Sequence, residues 1–120
     1  MARSLVVKVT AGADDAERCT QGFTVAATAL AAGAQVSLWL TGEATWLALP
    51  GRAEQLELPH SAPLGDLLGA LLAGGQVTVC SQCAVRRDLV VDDLLNGVRV
   101  AGAAVFVEEV LSEGAQALVY

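Results

Sequence analysis

The chain has 120 residues, 54% of them hydrophobic, which suits one domain over residues 1–120 and leaves no room for a second. Seven basic and thirteen acidic residues give a net charge of −6, and no basic run exceeds the Arg86-Arg87 pair, so nucleic-acid binding is disfavoured. No apolar stretch reaches the roughly 20 residues that a membrane-spanning helix needs. The segment up to Lys8 lacks the apolar run and cleavage site of a secretion signal. We therefore expect a cytoplasmic protein with neither a nucleic-acid nor a membrane partner.

Five short apolar or β-branched segments predict strands, and four of them follow a glycine of the kind that ends helices. These strands are predicted at residues 4–10, 35–40, 76–80, 98–100 and 115–120. Near-continuous apolar character is typical of strands covered by helices on both faces. Lys8 and Ser37 interrupt this character in the first two strands, and the sequence offers no reason for them.

Helical segments lie between these strands. Asp14 or Asp15 is the expected N-cap of the first helix, Thr41 caps a short second helix, and Asp88 is where the fourth could break. The predicted helices cover residues 14–32, 41–49, 64–73, 81–96 and 103–113, with a loop over 50–63. Alternating strands and helices indicate a three-layer α/β/α sandwich with a mainly parallel five-stranded sheet.

Ligands of parallel α/β sheets bind beyond the carboxyl ends of the strands, which here means loops at residues 10–14, 41–43, 80–83 and 101–103. The polar side chains expected to contact a substrate or partner are those of Thr10, Asp14, Thr41, Glu43 and Arg86. Only the loop that begins at Cys80 carries a strong nucleophile.

Cys80 stands where a predicted strand gives way to a helix. Unpaired N–H groups at a helix N-terminus favour the thiolate, which is the reactive form of cysteine. Arg87 follows nearly two helical turns later, and its long side chain could lean back toward the sulfur. Alternatively, Arg86 and Arg87 are solvated charges near a helix C-terminus, where cations are favoured.

Cys83 completes a C-x-x-C sequence with Cys80. This spacing is compatible with a redox pair, half of a metal site, or a nucleophile with an uninvolved neighbour. The other soft ligands, Cys19 and His60, each stand alone, so no metal site is predicted. The sequence also lacks G-x-G-x-x-G, P-loop and G-x-S-x-G motifs, and we predict no bound cofactor.

Nearly the whole chain resembles the DsrE/DsrF-like family of small α/β sulfur-relay proteins, which includes tRNA-thiolation carriers. The resemblance rests on several segments: Gly12-Ala13-Asp14, the Ala-rich helix through Phe23, Leu40-Thr41-Gly42-Glu43, Val77-Thr78-Val79-Cys80 with Arg86-Arg87, and the ending from Gly102-Ala103-Ala104 to Tyr120. Cys80 matches the cysteine of members that transfer sulfur, whereas a Cys83 companion occurs in only some members.

The resemblance implies that Cys80 accepts sulfane sulfur from a donor protein, holds it as a persulfide and passes it to an acceptor, as a sulfurtransferase or sulfur carrier does. It also implies a homo-oligomer, a trimer or hexamer, and Ala-rich helices with an exposed Trp46 suit such assembly. Two alternatives stay open: a non-catalytic module that binds a small molecule or protein, and a C-x-x-C thiol-disulfide redox protein.

Overall fold

The computed structural model describes residues 3–120, in which five strands form one sheet with every pair parallel. The strands are β1 (Ser4–Val9), β2 (Gln35–Leu40), β3 (Gln76–Cys80), β4 (Val98–Ala101) and β5 (Ala115–Val119), in the spatial order β4-β3-β2-β1-β5. The predicted parallel α/β architecture is confirmed. None of the helices within residues 3–120 has the length and apolar character needed to span a membrane. The segment tested for a secretion signal includes Met1 and Ala2, which lie outside the described residues.

The α-helices are α1 (Ala16–Ala31), α2 (Arg52–Gln55), α3 (Leu64–Gly74), α4 (Ser81–Arg86) and α5 (Ala103–Val110). Asp15 is the N-cap of α1, where its Oδ1 accepts a hydrogen bond from the Arg18 N–H at 3.2 Å. The predicted second helix is a 3-10 helix, Gly42–Ala48, and the predicted loop at 50–63 contains α2.

One face of the sheet is covered by α1 and α3, which also pack against each other. The central strand side chains on this face, such as those of Leu38, Leu40 and Val79, are fully buried and form the aliphatic core with Phe23 and Ala26 of α1. Burying each large apolar side chain contributes about 1.5–3 kcal/mol, so this face supplies most of the hydrophobic stabilisation. Ala27 and Leu30 of α1 are partly buried against the same core.

The opposite face carries polar side chains and is covered by α5. Because successive strand residues point to opposite faces, Lys8 and Ser37 lie on this side while their neighbours enter the core. Glu109 of α5 accepts hydrogen bonds from Ser37 Oγ and from Trp39 Nε1, the latter at 2.9 Å, and pairs with Arg99 of β4. The two polar interruptions of the apolar strands therefore belong to a polar layer beneath α5.

The fourth helix is much shorter than the predicted 81–96 and ends at Arg86. Asp88 has a φ of 54°, a left-handed conformation that Asp tolerates better than most residues. The Asp88 N–H bonds the Val85 carbonyl at 3.1 Å and the Leu89 N–H bonds the Ala84 carbonyl at 3.0 Å. These two bonds form a Schellman motif, which terminates α4 where the sequence suggested a break.

Candidate functional site

Cys80 is the last residue of β3 and the N-cap of α4, and its side chain is half-buried. Strand alternation places it on the α5 side of the sheet together with Thr78. Its register partner on β4 is Ala101, which is followed by Gly102, the N-cap of α5. A Cβ on Gly102 would lie 3.3 Å from Ser81 Oγ, so the start of α5 packs closely against the start of α4. Cys80 thus lies beside two helix N-termini.

The surroundings of Cys80 favour its thiolate. Burial raises the pKa of the thiol, but the Cys83 N–H and thiol, the Gln82 N–H and the positive charge of Lys8 outweigh burial and lower the pKa. At the N-terminus of α4, none of the described side chains caps the helix by a hydrogen bond, so the first-turn N–H groups remain available to the Cys80 sulfur. A partly exposed thiol with a lowered pKa is the profile of a reactive cysteine.

Lys8 and Arg99 are both on the Cys80 side of the sheet, but Arg99 pairs with Glu109, and Lys8 is the cation whose charge lowers the pKa of Cys80. Its Nζ lies 4.7 Å from the centroid of the Phe106 ring of α5, and this ring packs edge-on against Trp39 with centroids 5.3 Å apart. Lys8 is also the register partner of Trp39, which in turn pairs with Thr78 two residues before Cys80. The aromatic contact holds the ammonium group on the face where Cys80 ends β3.

Cys83 lies one helical turn after Cys80 and is 8% exposed. Its Sγ accepts a hydrogen bond from the Gly42 N–H at 3.3 Å, while the Cys83 thiol interacts with the Cys80 sulfur. Gly42 has a φ of 54°, and a Cβ there would lie 2.7 Å from the Thr10 carbonyl oxygen. Glycine is therefore required at position 42 for the β2 loop to reach the sulfur of Cys83.

The spacing of Arg87 from Cys80 suggested that its side chain could approach the Cys80 sulfur, but the side chain binds elsewhere. Its Nη2 pairs with Glu43 Oε2 at 2.9 Å and its Nη1 donates to the Cys83 carbonyl at 3.1 Å. Trp46 Nε1 also donates to Glu43 Oε2, at 3.3 Å, and the guanidinium carbons of Arg52 and Arg87 lie 5.0 Å and 5.9 Å from the centroid of its ring. Trp46 is therefore half-buried, although it was predicted to be exposed. Arg87 fixes the backbone of Cys83, and the cation that lowers the pKa of Cys80 is Lys8.

The remaining predicted contact residues serve local backbone roles or lie at the surface. Thr10 Oγ1 donates to the Tyr120 carbonyl at 2.8 Å, and Asp14 Oδ1 accepts from the Gly12 N–H at 2.8 Å. Thr41 is buried, with its Oγ1 near the Val9 carbonyl at 3.4 Å. Arg86 is exposed and lines a shallow depression with Ser81, Gln82 and Val85.

The other soft ligands lie apart from this site. Cys19 is fully buried, and burial together with the charges of Asp14 and Asp15 raises the pKa of its thiol to about 12. His60 is an exposed loop residue with a φ of 63°. Within residues 3–120, no three His, Cys, Asp or Glu side chains are grouped so that they could hold a metal ion.

Two residues of the site, Lys8 and Gly42, were not predicted from the sequence. Lys8 was visible as a charge inside an apolar strand, but the sequence did not reveal which face it occupies. Gly42 lies in a predicted loop, and its contact with Cys83 joins residues 41 positions apart. In both cases the contact depends on the three-dimensional fold, which a local sequence pattern does not specify.

Comparisons with known proteins agree on the family and fold. The model of the DsrE/DsrF-like family matches residues 3–120. The crystal structure of the ychN protein from E. coli has a TM-score of 0.80 at 19% sequence identity, with both chains covered over 100% of their length. A protein of unknown function, MTH1491 from Methanobacterium thermoautotrophicum, has a TM-score of 0.72 at 15% identity, again with 100% coverage of both chains. A search of curated protein sequences gives no significant match.

Proposed function

Because the chain belongs to the DsrE/DsrF-like family, we propose that it is a sulfur carrier in which Cys80 holds sulfane sulfur as a persulfide and passes it to an acceptor thiol. The observation that carries this proposal is the partly exposed Cys80 thiol with its lowered pKa at the end of β3. A thiolate at this position attacks sulfur readily, and a persulfide anion there would benefit from the same N–H groups and the same Lys8 charge.

Loading and unloading need no outside oxidant. The Cys80 thiolate attacks the outer sulfur of a donor persulfide, the new Cys80 S–S bond forms, and the donor S–S bond breaks with its electron pair leaving on the donor thiolate. The proton of the persulfide is retained or lost to water according to pH. In the second half of the cycle, an acceptor thiolate attacks the outer sulfur, and Cys80 leaves as a thiolate.

The three cysteines differ in access, which assigns the primary role to Cys80. Cys19 and Cys83 are buried, whereas Cys80 is partly exposed at the surface between α4 and α5. A donor protein must bring its own sulfur atom to the nucleophile, and only Cys80 offers that access. The reducing cytoplasm, where free thiols persist, is the compartment that suits such a carrier.

The interaction between the Cys83 thiol and the Cys80 sulfur supports a second candidate, a thiol-disulfide redox protein. In that reaction the Cys80 thiolate attacks a partner disulfide, Cys83 then displaces the partner thiolate, and the two cysteines finish as a disulfide. The partner is reduced by the two electrons that the Cys80–Cys83 pair loses. The two candidates differ in whether Cys83 is required.

We further propose that the chain self-associates through the outer side of α5 and the edge strand β5. Three large apolar side chains are exposed there, and a second copy of the same surface would cover them. They are Val107 at 49%, Leu111 at 78% and Val119 at 64%. Light scattering at micromolar concentration should show an oligomer, and Leu111→Asp should dissociate it. A species of only 12.3 kDa for the unmodified chain would contradict this.

Mass spectrometry after incubation with inorganic polysulfide tests the carrier proposal. The unmodified protein should gain the mass of one sulfur atom on the peptide that contains Cys80. Cys80→Ser should abolish this gain, whereas Cys83→Ser should retain it, because Cys83 is not the acceptor. If Cys80→Ser loads sulfur as the unmodified protein does, the carrier proposal is wrong. If the unmodified protein instead accumulates a Cys80–Cys83 disulfide without added sulfur, while Cys83→Ser retains one sulfur atom on Cys80, the redox candidate replaces it.

A further inference from the structure

Three exposed valines lie close together in the chain, at the end of α4 and in the segment that follows it. Val85 is 74% exposed, Val90 is 62% exposed and Val91 is 60% exposed, and we call these three residues the valine surface. Val85 is the next-to-last residue of α4. The Schellman motif follows, and the chain then enters the 3-10 helix Val91–Asp93. Exposed valines are unfavourable in water, so a cluster of them indicates an interaction surface.

The Val85 end of this surface lies near Cys80. Val85 lines a surface depression together with Ser81 and Gln82, the two residues that follow Cys80. Because α4 has six residues, it spans only about 9 Å along its axis. A protein seated on the valine surface would therefore place its own sulfur close to Cys80.

The valine surface also lies apart from the proposed self-association surface. The 3-10 helix that carries Val91 contacts β4, whereas the self-association surface includes β5. β4 and β5 are the two edge strands of the sheet. A second copy bound at β5 would leave the β4 edge available to another partner.

Acidic residues lie next to the valines in the chain. Asp88, Asp92 and Asp93 are all exposed, and none of the ion pairs found within residues 3–120 involves them. Asp93 accepts a hydrogen bond from the Val90 N–H at 2.9 Å, which orders the segment without neutralising its charge. Arg86 is the exposed cation of the segment, because Arg87 pairs with Glu43. Three carboxylates against one free cation leave this surface negative.

From this arrangement we propose that the valine surface docks the sulfur-donor protein, and that the donor presents a persulfidated cysteine within an apolar patch edged by lysine or arginine. The proposal rests on the carrier function of Cys80 and adds the place and chemical character of the donor. Apolar contact supplies affinity, and the opposite charges orient the donor and speed its encounter. The transfer step is the one given above: the donor S–S bond breaks as the Cys80 S–S bond forms.

Two synthetic peptides serve as donor probes. Both have the same length and the same number of leucines, and each carries one cysteine persulfide; lysines flank the cysteine in one peptide and glutamates in the other. At low ionic strength the lysine peptide should load Cys80 about tenfold faster, because opposite charges accelerate association. At roughly 0.5 M salt the advantage should shrink to about twofold or less, because salt screens exposed charges. Inorganic polysulfide is the small probe that needs no docking.

Matched variants separate apolar contact from charge. Val85→Ser combined with Val91→Ser should slow loading from the lysine peptide about fivefold or more, and Asp88→Asn combined with Asp92→Asn should remove the preference for lysine over glutamate. Asparagine tolerates the left-handed φ of residue 88, so α4 still ends correctly. Ala70→Ser and Glu113→Gln, at exposed positions away from α4, are the controls and should leave every rate unchanged. Polysulfide loading should be equal in all of these proteins.

The outcomes distinguish the docking proposal from the carrier proposal. If polysulfide loads Cys80 but the two peptides load it at equal rates, or the valine variants lose no rate, the docking surface is wrong and the carrier function stands. A faster rate with the glutamate peptide also overturns it, since the site would then favour an acidic donor. If neither polysulfide nor either peptide loads Cys80, the carrier proposal fails and the docking proposal fails with it.

Discussion

The ammonium group of Lys8 lies 4.7 Å from the centre of the Phe106 ring, so α5 holds a cation on the face of the sheet where Cys80 ends β3. The positive charge of Lys8 contributes to the lowered pKa of Cys80. A residue on the first strand thereby influences a thiol two strands away in the sheet.

Lys8→Met should move the pH dependence of Cys80 alkylation to higher pH, because the thiolate loses a favourable charge. At neutral pH the alkylation rate with iodoacetamide should fall modestly, because the Lys8 charge is the smallest of the effects that lower the pKa of Cys80, and Lys8→Arg should restore the rate. Peptide-resolved mass spectrometry measures the rate at Cys80 alone. Arg87→Met is the matched control, since Arg87 contacts Glu43 and the Cys83 carbonyl. If Arg87→Met shifts the profile and Lys8→Met does not, Arg87 is the influential cation.

Cys19 should resist alkylation in the folded protein. Burial together with Asp14 and Asp15 raises the pKa of its thiol to about 12, so almost no thiolate exists at pH 8. Under the same conditions Cys80 should be alkylated within minutes. In denaturant all three cysteines should react at similar rates, which shows that the fold causes the difference. Equal labelling of Cys19 and Cys80 in the native state would contradict this prediction.

Glu109→Gln should destabilise the protein by about 2 kcal/mol at neutral pH, because the carboxylate anchors α5 through hydrogen bonds from charged and polar partners. Although burial raises the pKa of Glu109, hydrogen bonds from Ser37, Trp39 and Arg99 and the Arg99 charge lower it overall. Its stabilisation is therefore complete above the unfolded-state pKa of about 4.3 and disappears as the pH falls through the lower folded-state pKa.

Urea denaturation at several pH values measures this effect as the stability difference between the unmodified protein and the variant. The difference should be constant near neutrality and should shrink in acid. Glu108→Gln is the control, since Glu108 is exposed, and it should change stability by less than about 0.5 kcal/mol. A difference that grows in acid would have the wrong sign for a carboxyl group with a lowered pKa.

Gly42→Ala should destabilise the protein by about 3 kcal/mol, because alanine is strained at a φ of 54° and its Cβ would meet the Thr10 carbonyl oxygen at 2.7 Å. Gly33→Ala carries only the conformational cost, about 1 kcal/mol, since nothing lies within 4 Å of the added atom. Thermal denaturation compares the two variants. Equal melting temperatures would show that the β2 loop moves away freely.

Local patterns in the sequence determined the elements and the main thiol. Hydrophobic runs, glycines after helices and the Asp15 cap are properties of neighbouring residues, so the parallel strands and α1 were predicted close to their observed bounds. The position of Cys80 between a strand and a helix also follows from local pattern. The length of α4 was overestimated, because an apolar helical pattern continues past Asp88 while the left-handed turn there ends the helix.

Tertiary structure alone decided which charges act at the site. The order β4-β3-β2-β1-β5 depends on which strands pair, and this is not encoded in any one segment. That order brings Lys8 to the face of Cys80, and loop packing pairs Arg87 with Glu43, 44 residues earlier. The spacing from Cys80 to Arg87 carries no information about a competing carboxylate in the 3-10 helix Gly42–Ala48. Only the fold could show that Arg87 pairs with Glu43 and that Lys8 acts on the thiol.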